Sequence, residues 1–276
     1  MPATESTVQS STVPVHQLGT TSMQQDDSAF SAVGRVYGAA ALKRLEEAHV
    51  CVVGIGGVGS WVAEALARSG VGELTLIDPD DISTTNINRQ VHADLMTVDQ
   101  SKVEVMKKRI ALINPECVCH AIDDMLVVKN IEKYIDARFD FVVDAMDSIL
   151  FKAALINYCK RNKIQVITIG GAGGRTDPTK IAITDLSKTW NDALAAKVRQ
   201  RLRSKHGFKV RKRFRVECVF SSEQARYPAA DGEVSYRKPG LAGATLDCDS
   251  GYGSLVSVTA SFGFIAAARV MNKLVI

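Results

Sequence analysis

"HVCVVGIGGVGSWVAEALARSGVGELTLIDPD", residues 49–80, decides the fold. A short β-branched run at 49–53 meets a glycine-rich turn. Trp61, Val62, Ala65 and Leu66 then recur at helical spacing before a second apolar run at 74–77. Strand, turn, helix and strand within about 30 residues make a unit whose strands lie parallel, joined by a right-handed crossover. Gly54, Gly56 and Gly59 stand in G-x-G-x-x-G spacing, with Gly57 between them. The first two allow a tight turn and close approach to a phosphate, and the third lets the helix pack on the strand. The helix N-terminus offers amides and a positive dipole to the anion. Asp78 ends the second strand, where a carboxylate accepts ribose hydroxyls. Taken alone, the pattern fits NAD, FAD and ATP users equally.

Outward from this unit the alternation continues. A helix is expected at 102–112, stopped by "INP", then a strand in "CVCHAI" and a helix at 128–137. "FDFVVDAMD" reads as a central strand, 150–162 as a helix and "IQVITIGG" as the next strand. The expectation is an α/β fold: a Rossmann-like open, mostly parallel sheet with helices on both faces and ligands beyond the carboxyl ends of its strands. Residues 1–30, rich in Ser, Thr and Gln, read as a disordered tail. After Gly174 the texture changes, so residues 31–175 are assigned to the nucleotide-binding domain and 176–276 to a C-terminal elaboration packed on the same fold. That elaboration begins with a strand in "KIAITDL" and a basic helix at about 192–204, followed by a strand in "VECVF".

Bulk properties narrow the class. The 46% hydrophobic and 23% charged composition is that of a soluble globular chain. No basic patch precedes an apolar run at the N-terminus, so a cytoplasmic location is expected. The apolar stretch 255–268 has 14 residues before Arg269, short of the ~18 to 20 that span a bilayer. It reads as a buried helix, with peripheral membrane attachment through 254–276 as the alternative. Six scattered cysteines contain no C-x-x-C pair, so zinc is not expected. Cys51, Cys159 and Cys218 lie in apolar runs as core fillers. Between Lys188 and Arg215 stand eleven Lys or Arg against Asp192 alone, a local charge of +10 that leaves −6 elsewhere from the net +4. Two readings stand: a polyanion-binding surface or a solvated helix face.

"TTNINRQVHADL", residues 84–95, discriminates among nucleotide users. Hydride transfer leaves a pyrophosphate intact and needs no concentration of side-chain donors beside it. Breaking the α–β bond of ATP requires fixed cations and a metal to neutralise the leaving group. Arg89 and Lys102 suit that role, with Asn86, Asn88 and Gln90 holding adenosine and phosphate oxygens. Asp144 and Asp147, in "VVDAMDS", are candidates for Mg²⁺, which takes one carboxylate and keeps several waters; either also suits a helix N-cap.

Together, G-x-G-G-x-G, the acidic strand end, N-x-N-R-Q, the following lysine and D-x-x-D resemble the ubiquitin-activating-enzyme superfamily over residues 35–170. The resemblance implies carboxylate adenylation with ATP and Mg²⁺: Asp78 on ribose, Arg89 and Lys102 on the triphosphate, and Asp147 on the metal. Arg35, in "GRVYG", matches an arginine that in relatives reaches the nucleotide, often across a dimer interface. Further blocks, "RVYGAAAL", "TIGGAGGRTDPTKI", "VECVFSSE" and "TASFGF", resemble the tRNA threonylcarbamoyladenosine dehydratases from about residue 30 to the C-terminus. That family implies cyclisation of N6-threonylcarbamoyladenosine beside the anticodon, a homodimer, a possible monovalent cation and a cysteine-desulfurase partner. Arg199, Arg201, Arg203, Lys205, Lys209, Arg211, Lys212, Arg213 and Arg215 would then track tRNA phosphates. Phe208 and Phe214 are stacking candidates or core aromatics, and Tyr227 and Arg237 lesser surface candidates. The competing expectations are an activator of a ubiquitin-like or sulfur-carrier protein, or a sulfur-acceptor partner of a cysteine desulfurase.

Overall fold

The computed structural model describes residues 29–229, 232–237 and 253–276. The tail expectation, apart from residues 29 and 30, lies outside the described residues, as does Cys248. Helices α1 (Ser31–Tyr37) and α2 (Ala39–Glu47) lead into β1 (His49–Val53), α3 (Gly59–Arg68), β2 (Glu73–Ile77), α4 (Lys102–Ile113) and β3 (Val118–Ile122). There follow α5 (Ile131–Tyr134), β4 (Phe141–Asp144), α6 (Ile149–Arg161), β5 (Val166–Ile169), β6 (Ile181–Asp185), α7 (Ala193–His206) and β7 (Glu217–Ser221). A two-stranded pair, β8 (Tyr227–Pro228) and β9 (Val234–Ser235), precedes the last helix, α8 (Val256–Val275).

The main sheet has the order β3-β2-β1-β4-β5-β7-β6. Every neighbouring pair is parallel except β6 with β7. Chain order reverses between β1 and β4, leaving a crevice above their carboxyl ends. Side chains alternate across the pleat. Val50 and Val52 of β1 join a core with Val62 and Leu66 of α3, Met106 and Ile110 of α4, and Phe262 of α8. Cys51 and Val53 face the opposite core with Leu155 and Ile156 of α6 and Val198 and Leu202 of α7. Cys159 and Cys218 are buried in that second core as well. The C-terminal portion thus adds strands to the same sheet and a helix to each face.

Two expected helices change extent. The one expected at 128–137 contracts to α5. Asn130 Oδ1 accepts the Val127 amide at 2.8 Å, and its Nδ2 donates to the Met125 carbonyl at 2.9 Å. This side chain holds the preceding residues in a turn. The C-terminal helix runs past Arg269, whose guanidinium donates to Glu217 at 2.5 and 2.8 Å. With that charge satisfied at the start of β7, the helix continues to Val275. At 20 residues it is long and apolar enough to cross a bilayer, yet Val258, Phe262, Ala266 and Val270 are buried within the core beside α3.

Candidate active site

A cleft of about 300 Å³ lies at the chain reversal. Its floor is the turn after β1. Gly54 adopts φ +89°, a left-handed conformation that a side chain rarely takes, and a β-carbon there would stand 2.9 Å from the Ala145 carbonyl carbon. At Gly59 the added carbon would lie 1.8 Å from the Gly54 carbonyl oxygen. These two positions close the turn and dock α3, while Gly56, Gly57 and Val58 line the cleft.

The segment 84–95 folds back over this loop. A β-carbon at Gly57 would sit 3.4 Å from the Arg89 side chain, and one at Gly56 would sit 3.9 Å from Gln90 Nε2. Arg89 and Gln90 therefore face the phosphate-type turn across a narrow gap. Trp61 Nε1 of α3 donates to the Arg89 carbonyl at 2.9 Å, and the Thr259 hydroxyl of α8 reaches it at 3.5 Å. The guanidinium donates to the Thr85 carbonyl at 2.7 Å and to Asn88 Oδ1 at 3.2 Å. Asn86 is buried, its Oδ1 accepting the Ser83 amide at 3.1 Å. Asn88 is exposed at the rim and donates to the Ser254 carbonyl at 2.9 Å, so it links this segment to the C-terminal portion without lining the cleft itself. Gln90 is buried, and its Oε1 has no hydrogen-bond partner among the described residues.

Opposite stands a carboxylate–lysine group. Asp78 accepts the Ile55 amide at 2.6 Å and the Asp80 amide at 3.0 Å. The Lys102 ammonium lies 2.7 Å from Asp80 Oδ2 and 3.9 Å from Asp78 Oδ1. Burial raises the Asp78 carboxyl above its ordinary value, and the Lys102 charge opposes that shift. Asp78, Asp80 and Lys102 all line the cleft.

The two aspartates after β4 part company. Asp147 is exposed and lines the cleft, where it presents a hard oxygen donor. Asp144 is wholly buried: Lys152 Nζ lies 2.9 Å from its Oδ1, and the Thr168 hydroxyl donates to its Oδ2 at 2.7 Å. Burial pushes its carboxyl upward, with Lys152 opposing. The expectation of Asp144 as a metal ligand is therefore corrected. Its charge is matched inside the sheet, and it does not line the cleft.

A second glycine-rich loop completes the wall. Gly170, Gly171, Ala172 and Gly173 line the cleft. Arg175, buried, donates to the carbonyls of Gly171 and Asn191, each at 2.9 Å, and to that of Glu223. Asp192 accepts the Gly171 amide at 3.0 Å and caps α7 through the Ala195 amide at 2.8 Å. Sequence reasoning missed Asp80, Lys152, Arg175, Asp192 as a loop holder, and Glu223. Only the capping position of Asp192 leaves a local signal; the others become visible when distant segments meet.

Arg35 lies on α1, exposed, donating to Ser31 Oγ at 3.4 Å, and does not line this chain's cleft. Along α7, whose Leu194 lines the cleft, the basic residues divide. Arg199 is partly buried and bonded to the Thr189 hydroxyl, so it leaves the expected phosphate-tracking set. Arg201 and Arg203 are half-buried, and Arg203 lies 5.5 Å over the Phe214 ring. Lys205, Lys209, Arg211, Lys212, Arg213 and Arg215 are exposed. Phe208 and Phe214 meet edge to face at 4.9 Å, and Phe214 is buried. Phe214 thus takes the core role, and its ring is withdrawn from any base. Tyr227 is partly buried in β8 and Arg237 is exposed.

Residues 31–275 match the ThiF family, and the chain belongs to it. Within that family it is 50% identical over 262 residues to the tRNA threonylcarbamoyladenosine dehydratase of Haemophilus influenzae, covering 93% of this chain and 98% of the relative. It is also similar to two crystal structures of the Escherichia coli tRNA N6-threonylcarbamoyladenosine dehydratase, one in complex with ATP and one with AMP. Each has a TM-score of 0.79 at 46% identity and covers 89% of this chain and 93% of the solved one.

Proposed function

We propose that the protein is an ATP-dependent tRNA threonylcarbamoyladenosine dehydratase. The observation carrying the chemistry is that Arg89 and Gln90 lie over Gly57 and Gly56 in one cleft with Asp78, Lys102 and Asp147. Relatives bearing that activity match nearly the whole chain.

A carboxylate is a poor electrophile, and joining it to AMP makes it a good one. In the first step an oxygen of the substrate's threonyl carboxylate attacks the α-phosphorus of ATP. The P–O bond to the β-phosphate breaks, pyrophosphate leaves, and an acyl-adenylate forms. In the second, a nitrogen or oxygen of the same side chain attacks the activated carbon, the bond to AMP breaks, and the ring closes with net loss of one water. Because nucleophile and electrophile share one molecule, holding them close supplies the acceleration, and no enzyme thiol is needed. Consistently, burial pushes the thiols of Cys117 and Cys119 up to about 11 and about 12.

Asp78 accepts ribose hydroxyls, while the amides of the glycine turn and the N-terminus of α3 receive phosphate. Arg89 presents a fixed cation to the developing charge. Lys102 exchanges Asp80 for a phosphate oxygen, the exposed acid turning to water. The donor set fits a divalent ion: Asp147 offers one carboxylate at the rim and leaves room for waters. Magnesium held there would neutralise the pyrophosphate leaving group. A monovalent cation is a further member of this reading.

The tRNA reaches the cleft along α7. At about 1.5 Å per residue, the exposed basic turn after this helix begins roughly 20 Å from Leu194, a reach suited to a stem whose loop enters the cleft. Arg35 contributes from a second copy in a homodimer, and a cysteine desulfurase is the partner protein to examine. The expected location is cytoplasmic.

Incubation with ATP, Mg²⁺ and tRNA carrying the threonylcarbamoyl group should lower the mass of that nucleoside by one water and release an equal amount of AMP. An unchanged nucleoside, with ATP–pyrophosphate exchange stimulated by a small protein ending in Gly-Gly, would favour the activator reading instead.

A further inference from the structure

At the opposite end of the sheet, the amino ends of β1 and β2 bring together side chains that adenylation does not use. His49 and Glu73 open these strands and pair in register, and His120 of β3 stands across from Thr75 of β2. Same-face side chains on neighbouring strands stand about 5 Å apart, so the register alone gathers the three. Glu73 Oε1 lies 2.8 Å from His120 Nε2 and 3.4 Å from His49 Nδ1, and the three ligand-type atoms fall within 4.8 Å of one another.

We propose that His49, Glu73 and His120 bind one divalent transition-metal ion, zinc by their chemistry. Two imidazoles and a carboxylate form a zinc ligand set with the fourth position left to water. Bonds of about 2.0–2.1 Å in a tetrahedron separate ligand atoms by roughly 3.3 Å, so sub-ångström to ångström side-chain shifts seat the ion. His49 Nε2 lies 2.8 Å from Thr75 Oγ1. When that nitrogen donates to the hydroxyl, Nδ1 turns a lone pair toward the Glu73 carboxylate, an arrangement of two acceptors that a cation resolves. The threonine then acts as the outer partner that fixes ring orientation in metal-bound histidines. Phe139 packs edge-on against the His49 ring at 4.5 Å, and Asp140 Oδ2 accepts the His49 amide at 2.9 Å, so this ligand is held in place.

His120 needs only to move its proton from Nε2 to Nδ1 to become a ligand, and its side chain is 49% exposed, leaving an entry path. Cys117 and Cys119, though adjacent in sequence, pack against the core on the other sheet face. The cysteine spacing gave no reason to expect zinc, whereas His and Glu from three strands do. The five-residue length of β1 puts this cluster about 16 Å from the glycine turn, so the ion would clamp edge strand β3 without touching the cleft.

The test is calorimetric titration of the tag-free full chain, stripped with chelator, with Zn²⁺ alone. One equivalent should bind. His120→Gln and Glu73→Gln should each weaken binding at least tenfold and Thr75→Val about tenfold. All three should bind ATP as the parent does, which checks their folding. Changing both Cys117 and Cys119 to Ser should leave zinc affinity unchanged. No saturable binding by the parent chain, binding that survives His120→Gln and Glu73→Gln, or binding lost with the cysteines would each overturn the assignment.

Discussion

The nucleotide cleft and the basic end of α7 carry charge in opposite ways. Asp78, Arg89 and Lys102 in the cleft, and Asp144 with Lys152 in the core beside it, come from separate segments and are buried, each held by named partners. At the end of α7 and beyond it, six cations between Lys205 and Arg215 stand exposed to water. The first arrangement fixes geometry and is intolerant of single changes. The second provides a field in which each charge adds a small, screened increment. Charge density is thus a poor guide to where one residue matters most.

The sharpest break of that contrast should come from the buried pair. Lys152→Met leaves Asp144 unpaired in the core, and a loss of about 3–5 kcal/mol is expected, read as a lowered urea midpoint. A change under about 1 kcal/mol would mean that the pair contributes little. Arg89→Ala should lower pyrophosphate exchange by about 10²–10³ while thermal unfolding changes little by comparison; a near-normal exchange rate would remove Arg89 from the chemistry.

His92 sharpens the comparison through pH. It is buried, neither ring nitrogen has a hydrogen-bond partner among the described residues, and burial, then Lys102 and Arg109, hold it down to about 4. In the unfolded chain it titrates near ~6.5. Between these values the unfolded state binds the additional proton. Stability is therefore intact above the higher value, declines as pH falls, and the loss is complete below the lower one. His92→Gln should remove up to about 3 kcal/mol of this dependence, measured as the difference between denaturation midpoints at neutral and acid pH. Parallel curves for parent and variant would contradict it. The smallest effects belong to the basic turn. Lys212→Ala or Arg213→Ala should each reduce the slope of log affinity for tRNA against log salt by about 0.9, with ATP binding unchanged. A slope that does not move would return these residues to the role of a solvated face.

Much of this was legible because periodicity and glycine placement are local properties. β1, α3 and β2 follow directly from residues 49–80, and the meeting of 84–95 with the glycine turn was readable from its unusual donor density. The choice between Asp144 and Asp147 was not, since it turns on Lys152 and Thr168 arriving from α6 and β5. Arg175 and Glu223 were silent for the same reason, lying 48 residues apart. The basic residues were counted correctly, but burial of Arg199 and Phe214 depends on how α7 and the following turn pack against the sheet. The short α5 reflects Asn130, a side chain competing with helical backbone bonds that apolar spacing does not register.

The most direct test of the central claim follows radiolabelled pyrophosphate into ATP in the presence of Mg²⁺ and threonylcarbamoyl-bearing tRNA, for the parent chain and for Asp147→Ala. The account predicts exchange that requires the modified tRNA and falls at least a hundredfold in the variant. Equal incorporation by both proteins, or none by the folded parent with its tRNA, would contradict it.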